Sequence, residues 1–512
     1  ACVGSTSTFT ITINPKPVVP NQTATICSGT AFTTAPTNNP TTTIIPSGTT
    51  YTWTVVDNTN VTGDEDQVTG QSNISQTLIN LTNTAQTVVY TVTPTSGAAG
   101  NCVGSTFTVT VTVNPKANIA NKTASTCSGT GFTLTPSNGT DIVPSGTTYA
   151  WSAPTVTGSL TGGALATGQS SIAGTLTNPT NVPQTATYTV TPTSGSCTGP
   201  TFTVVATINP KPVIANKTPS ICSGEAFTVS PSNGSDIVPS NTTYTWTVVD
   251  NASVTGESNQ ASGQSSISQT LTNNTNTAKT VVYTVTPTSG DAGSCVGANF
   301  TVTVTVNPTP VVPNQTVTIC SGGTFTRTPV DAAPTTIIPS GTTYTWTVAP
   351  NADVTGETDQ AVGQSSISQT LTNTSHTVQT VVYTVTPKSG TTGACVGATF
   401  TVTVTVNPRP TVDAISNQAV CAGSTVSGVT ITGSVASTVY TWSNNTTSIG
   451  LGASGTGNIT SFTGVNATNI PVVSTVTVTP TYTNNAVACV GSTSTFTITI
   501  NPKPVVPNQT AT

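Results

Sequence analysis

The chain has 512 residues, of which 10 are Lys or Arg and 15 are Asp or Glu. About 5% of the residues are therefore charged, against roughly a quarter in an ordinary soluble domain. A net charge of −5 gives no basic surface for nucleic acid. The sequence contains no run of 18 apolar residues that could span a membrane. Methionine is absent and histidine occurs once, which excludes a metal- or histidine-based enzyme; we expect no catalytic residues.

Two short elements recur along the chain and predict its organisation. A Cys-Ser-Gly or Cys-Ala-Gly element starts at Cys27, Cys127, Cys222, Cys320 and Cys421. An Asn-Pro element starts at Asn14, Asn114, Asn209, Asn307, Asn407 and Asn501. These positions predict five tandem domains, residues 15–114, 115–209, 210–307, 308–407 and 408–501.

The two ends of the chain carry the same 25-residue string, residues 1–25 and 488–512. We therefore expect residues 1–14 to be the last strand of a preceding domain and residues 502–512 to start the next one. On this interpretation the sequence is a window cut from a longer array. Signal and anchoring segments would then lie outside it.

Strict alternation of apolar residues with threonine predicts β-strands throughout. In the segment 107–113, Phe107, Val109, Val111 and Val113 fall on one face and threonines on the other. Such strands are typical of an antiparallel sheet with one buried face. Their spacing and the turns between them predict an all-β chain of seven-stranded Ig-like sandwiches.

Each predicted domain contains one tryptophan on an alternating strand, namely Trp53, Trp151, Trp246, Trp346 and Trp442. Tyr51 lies two positions before Trp53 and shares its face, which favours a place in the core. The alternative is a row of exposed rings on which sugars stack. Buried rings would favour a structural array, and exposed rings would favour polysaccharide binding.

The eleven cysteines indicate disulfides and an oxidising, extracellular setting. We predict one bond within each domain, and the pairs are Cys27–Cys102, Cys127–Cys197, Cys222–Cys295, Cys320–Cys395 and Cys421–Cys489. Each bond would stabilise its domain by roughly 4 kcal/mol. Cys2 is then left for a partner upstream of the sequence. The alternative scheme bridges neighbouring domains across the Asn-Pro linker, as in Cys102–Cys127.

Acidic residues form the remaining candidate site. Asp64, Glu65 and Asp66 are clustered, and Asp353, Glu357 and Asp359 are their counterparts in the fourth domain. Carboxylate oxygens suit calcium, which would stiffen a loop; the alternative is a solvated loop without metal. No other cofactor is expected.

The linkers predict how the domains follow one another. Asn14-Pro15-Lys16-Pro17 connects two predicted strands without a Gly/Ser spacer. Because proline fixes φ and stiffens extended segments, we expect the domains to stack end to end as a semi-rigid rod. Neighbouring repeats of the same chain would be each domain's main partners.

The Cys-Ser-Gly start, the Tyr-Thr-Trp strand and the Thr-Val-Thr-Val-Asn-Pro close resemble the PKD-like, Ig-like repeats of very large Bacteroidota cell-surface adhesins. The resemblance implies gliding-motility adhesins of the SprB type, secreted by the type IX system and attached to the outer membrane. It therefore implies an extracellular stalk, with surface polysaccharide or the motility machinery as partners. A polysaccharide-binding array, or a spacer for a catalytic domain outside this sequence, are the alternatives.

Overall fold

The structure is a computed structural model that describes residues 2–39, 41–97, 99–290, 293–390 and 393–506. Of the expected start of a next domain, 502–512, residues 507–512 lie outside the described ranges. Within these ranges the regular elements are β-strands, together with one 3-10 turn at Thr447–Ile449. The predicted all-β class is thereby confirmed.

The five domains that follow one another are here called units 1 to 5. The strands of unit 1 are β1 (Gln22–Cys27), β2 (Thr30–Thr34), β3 (Thr50–Val55), β4 (Val61–Thr62), β5 (Gln67–Gln71), β6 (Ile74–Asn80), β7 (Gln86–Thr95) and β8 (Phe107–Asn114). They form a sandwich of a five-stranded and a three-stranded sheet, with strand orders β1-β8-β7-β3-β5 and β2-β6-β4. Unit 1 has eight strands where the sequence predicted seven, because the two-residue strand β4 completes the smaller sheet.

Units 2 and 3 repeat this arrangement with some strands split. The strands of unit 2 are Lys122–Cys127, Gly131–Leu134, Thr148–Trp151, Thr155–Val156, Thr161–Gly162, Ala166–Gln169, Ile172–Thr177, Gln184–Ser194, Cys197–Thr198 and Phe202–Asn209. Those of unit 3 are Ser220–Cys222, Ala226–Val229, Thr243–Val248, Val254–Thr255, Gln260–Gln264, Ile267–Thr270, Thr272–Asn273, Lys279–Thr288 and Phe300–Asn307.

Units 4 and 5 complete the described part of the array. The strands of unit 4 are Gln315–Cys320, Gly323–Arg327, Thr343–Val348, Val354–Thr355, Gln360–Gln364, Ile367–Asn373, Gln379–Lys388 and Phe400–Asn407. Those of unit 5 are Gln418–Cys421, Thr425–Val426, Val439–Asn444, Ser454–Thr456, Phe462–Thr463, Val472–Asn484, Val487–Val490 and Ser494–Asn501.

Each unit has its own hydrophobic core, built by the alternation in its strands. In β8 the side chains of Phe107, Val109, Val111 and Val113 are buried, and the threonines between them are partly exposed. Tyr90 of β7 meets Phe32 of the opposite sheet with ring centroids 5.2 Å apart. Because each strand shows its apolar face to one core only, five separate sandwiches follow one another along the chain.

The first and last strands of each unit, here named the leading and closing strands, pair in parallel. In unit 1 the register runs from Gln22 opposite Val109 to Cys27 opposite Asn114. Both strands therefore run from the upstream end of the unit to its downstream end. The antiparallel pairing expected from the alternation holds for the other strands of the sandwich.

Hydrogen bonds close this parallel pair at both ends, from a side chain upstream and from the backbone downstream. At the upstream end Asn21 Oδ1 accepts a hydrogen bond from the N–H of Thr108 at 2.9 Å, and an asparagine does the same in every unit. At the downstream end the N–H of Ser28 donates to the carbonyl of Asn114 at 2.8 Å. The two strands are thus fixed relative to each other over their whole length.

A buried asparagine links the smaller sheet to the closing strand. In unit 4 it is Asn373, which is 6% exposed. Its Nδ2 donates to the carbonyls of Val406 (2.9 Å) and Thr377 (2.7 Å), and its Oδ1 accepts from the N–H of Ser375 at 2.8 Å. Asn80, Asn178 and Asn273 make the same two donations in units 1 to 3.

Replacing Asn373 with alanine should destabilise unit 4 by about 3 kcal/mol, because buried carbonyl and N–H groups would lose their partner. Hydrogen exchange in the strand Phe400–Asn407 should then accelerate, while exchange in Phe300–Asn307 stays unchanged. Thr372→Ala, an exposed change one position earlier, is the matched control. Equal protection in both variants would contradict this role for the asparagine.

Candidate functional site: the junctions between units

The predicted acidic residues do not converge on one site. Asp64 Oδ2 accepts from the N–H of Asn58 at 2.8 Å, whereas Asp66 Oδ1 accepts from the N–H of Val55 at 2.8 Å. Glu65 is exposed. Among the residues that the structure describes, no group of three or more His, Cys, Asp or Glu side chains is arranged to hold a metal ion.

Two of the unit 4 counterparts also accept backbone hydrogen bonds, and the third accepts one from a side chain. Glu357 accepts from the N–H of Asn351, Asp359 from the N–H of Val348 at 2.8 Å, and Asp353 from Gln379 Nε2 at 3.3 Å. In unit 3 the neutral Asn259 accepts the bond that Asp359 accepts in unit 4. Apart from Glu65 and Asp353, these side chains therefore order a loop by accepting backbone hydrogen bonds, and at the Asp359 position a neutral amide does the same.

Four of the five tryptophans are buried side chains of the cores. Trp53, Trp151, Trp246 and Trp346 are 4–7% exposed. In each of them the indole N–H donates to a backbone carbonyl at 3.1–3.2 Å. Trp442 of unit 5 is half-buried, with its ring against Gly455. The five rings therefore do not form a row of exposed platforms on which sugars could stack.

The cysteines join neighbouring units in a pattern that neither sequence hypothesis contained. The bonds are Cys27–Cys197, Cys127–Cys295, Cys222–Cys395 and Cys320–Cys489, with Cα atoms 5.4–5.6 Å apart. The first cysteine of one unit thus bonds to the second cysteine of the following unit. Among the described residues Cys2, Cys102 and Cys421 are free thiols. The predicted pairing within each domain, including Cys27–Cys102 and Cys421–Cys489, is wrong, and so is Cys102–Cys127.

The parallel strands explain why pairing within a unit fails. Cys27 ends the leading strand, next to Asn114, at the downstream end of unit 1. Cys102 precedes the closing strand at the upstream end, where its sulfur lies 4.0 Å from the carbonyl of Asn14. The eight-residue closing strand separates the two ends by about 26 Å, far beyond the roughly 7 Å that a disulfide spans.

A glycine two positions after each second cysteine lets the chain pack closely at the upstream end. A Cβ at Gly297 would lie 2.3 Å from the carbonyl oxygen of Pro212. The other units show the same close approach, at Gly104, Gly199, Gly397 and Gly491. Only a residue without a side chain fits there, so this glycine helps to place the second cysteine beside the preceding unit.

Polar contacts reinforce the disulfide at the junction of units 4 and 5. Asn407 Nδ2 donates to the carbonyl of Asn484 at 3.2 Å, and Asn484 Nδ2 donates to Asn407 Oδ1 at 2.9 Å. Arg409 spans the junction, because its Nε donates to Ser321 in unit 4 (2.7 Å) and its Nη1 to Val490 in unit 5 (3.2 Å). Neighbouring repeats of the same chain are thus direct partners.

Comparison with known families matches four segments to the PKD-like domain, residues 24–117, 124–212, 219–310 and 317–410. The chain belongs to the PKD-like domain family. These four segments cover units 1 to 4 and more than half of the sequence. A search of curated proteins finds no match.

Comparison with solved structures finds matches among tandem Ig domains. Sidekick-1 immunoglobulin domains 1–5 share 11% identity, cover 96% of this chain and 100% of their own, and give a TM-score of 0.20. The titin I-band fragment I67–I69 shares 10% identity, covers 58% of this chain and 99% of its own, and gives a TM-score of 0.26. In the described ranges no helix has the length and apolar character needed to cross a membrane.

Sequence reasoning missed an ion pair between a partly exposed lysine and a buried aspartate in each of the PKD-like units 2 and 3. Lys122 Nζ lies 2.6 Å from Asp141 Oδ2, and Lys217 Nζ lies 2.6 Å from Asp236 Oδ2. Burial acts to raise the pKa of Asp141, but the hydrogen bonds from Lys122 and the N–H of Ala120 outweigh it and lower the pKa. The same balance, with Ala215 and Lys217 as donors, lowers the pKa of Asp236.

Non-reducing tryptic mapping should recover the bonds between units. After denaturation and alkylation, cleavage at Lys116, Lys122 and Lys217 should leave the peptide 1–116 joined to 123–217 through Cys27–Cys197. Alkylation should mark Cys2, Cys102 and Cys421 only. Pairing within units would instead release these two peptides as separate species, and that result would contradict the structure.

The ion pairs should make units 2 and 3 sensitive to acid. An aspartate whose pKa is lowered on folding stabilises the unit above the ordinary value of 3.8, and the contribution is lost as the pH falls through the lower folded value. Hydrogen exchange, corrected for its intrinsic rate, should therefore rise in units 2 and 3 below about pH 4. Units 1 and 4 carry Gln22 with Thr43, and Gln315 with Thr336, at these positions.

A matched variant isolates the effect. Lys122→Gln with Asp141→Thr gives unit 2 the residues of unit 1, and it should remove the acid sensitivity of unit 2 alone. Unit 3 of the same molecule is the internal control. Unchanged acid sensitivity in the unit 2 of this variant would show that another group is responsible.

Proposed function

We propose that this PKD-like array is a structural stalk segment of a very large, repetitive cell-surface adhesin. The observation that carries the proposal is the construction of each junction. The peptide Asn114-Pro115 leads from unit 1 into unit 2, and Cys27–Cys197 makes a second covalent connection between the same two units. Two connections at one junction restrict both bending and twisting, which suits a part that holds something at a distance.

The setting follows from the same bonds. Four disulfides persist only where thiols are not kept reduced, so we place the array outside the cell. Surface attachment and secretion by the type IX system rest on the resemblance of the repeats to Bacteroidota gliding-motility adhesins. Adhesion during gliding is the role that this resemblance supports.

The composition of the surface is compatible with a stalk. Threonines of the outer strand faces cover the sandwiches, and only 25 charged side chains are distributed over 512 residues. Such a surface attracts nucleic acid and membranes weakly, and it repels a neighbouring copy weakly. Lateral association of several stalks would therefore meet little electrostatic resistance.

Imaging the five-unit chain by electron microscopy tests the proposal. Oxidised molecules should be straight, with five units in line and a length on the order of 200 Å, estimated from the strand rise. After reduction the junctions should bend, and the mean end-to-end distance should fall. An oxidised chain that folds back on itself would overturn the role as a stalk.

A second measurement addresses location. An antibody raised against the five-unit chain should label intact source cells, with gold particles at a distance from the outer membrane. Labelling only after cell lysis would contradict a surface adhesin. Binding of the isolated chain to cell-surface polysaccharide would instead favour the array as the binding element.

A further inference from the structure

The disulfides and the Asn-Pro junctions together trace two continuous covalent paths through the array. The first path follows the leading strand of unit 1 and crosses Cys27–Cys197 to the closing strand of unit 2. It continues through the peptide chain to the leading strand of unit 3, and then crosses Cys222–Cys395 into unit 4. It ends on the leading strand of unit 5, at Cys421.

The second path is the complement of the first. It follows the closing strand of unit 1 into the leading strand of unit 2 and crosses Cys127–Cys295 to the closing strand of unit 3. It proceeds to the leading strand of unit 4 and crosses Cys320–Cys489 to the closing strand of unit 5. Every unit therefore contains one strand of each path, and these two strands are its parallel, in-register pair.

We propose that these two paths are redundant tension-bearing lines, so that the oxidised array stays short under load even when its units unfold. The remaining part of each unit, between its first and second cysteine, connects one line to the other and lies outside both. Opening such a segment adds little length, because the lines on either side of it are already extended strands. Only the one segment through which the load passes from the first line to the second adds substantially to the route. The proposal concerns covalent connectivity and holds wherever the array is displayed.

The connectivity sets the maximum extension. Between Gln22 and Asn501 the shortest covalent route uses Cys27–Cys197, the segment 127–197, Cys127–Cys295 and Cys320–Cys489. It contains about 110 residues, or about 40 nm at full extension. With all four disulfides reduced, about 480 residues separate the same two points, or about 170 nm. Oxidation should therefore limit the contour length about fourfold.

Redundancy has a more specific consequence. The shortest route does not use Cys222–Cys395, so losing that bond should leave the maximum extension unchanged. Losing Cys27–Cys197 diverts the route through the peptide chain of unit 1 and lengthens it to about 140 residues, or about 50 nm. Either line by itself therefore keeps the array short.

Single-molecule force spectroscopy on the full five-unit chain, held at its two ends, tests this directly. We expect contour lengths near 40 nm for the oxidised chain, the same for Cys222→Ser/Cys395→Ser, and near 50 nm for Cys27→Ser/Cys197→Ser, in each case plus the terminal segments. Reduction should raise all three to about 170 nm. Because contour length reports covalent connectivity, the measurement is valid even if a variant does not fold.

The result that would overturn the proposal is a large gain in the Cys222→Ser/Cys395→Ser chain. If disulfides were formed within units, that variant would lose two of them and lengthen by about 50 nm. An oxidised wild-type chain that extends to about 170 nm would equally exclude the two lines. Images showing a bent or folded array would argue against the stalk but would leave these lengths unaffected, so the two proposals fail separately.

Discussion

The parallel pairing of the leading and closing strands is the constraint on which the rest of the molecule depends. It brings the first cysteine of a unit and the Asn-Pro peptide to the same end, since Cys27 lies opposite Asn114. It also carries the second cysteine to the other end, beside the preceding unit. A disulfide between consecutive units is then a short connection, and one within a unit is excluded by the distance between its two cysteines. An antiparallel pair would have reversed both outcomes.

Much of the fold could be predicted from the residues because burial follows the period of a strand. The alternation from Phe107 to Val113 identified the core face, and the position of Trp53 beside Tyr51 placed that ring correctly in the sandwich. The cysteine partners could not be predicted in this way. Chain entropy ranks loops by length, but partner choice depends on strand direction, which the alternation does not encode. Asn373 was missed for another reason, because asparagine is too common in this chain for one position to stand out.

Unit 5 shows which features of the junction are kept when the rest of a unit changes. It has alanine in place of the serine after the first cysteine, and Trp442 is less buried than its counterparts. Asn417 still fixes the start of the parallel pair, since its Oδ1 accepts a hydrogen bond from the N–H of Thr497 at 2.8 Å. Asn466 still donates to the carbonyl of Ile500 at 2.7 Å. The retained groups are those that hold the leading and closing strands together, and each of these two strands belongs to one of the covalent paths.

Stability and mechanical reach are therefore separable in this array. The cores and the buried asparagines determine whether a unit is folded, and most of their side chains come from segments outside the two covalent paths. The paths determine how far the array can extend, and they need only short strands, a proline junction and one disulfide for each step. A unit that opens under load would lose its core while its neighbours remain connected through both lines. Refolding then requires the segment between its cysteines to collapse between anchored ends, which lowers the loop-closure entropy that folding must overcome.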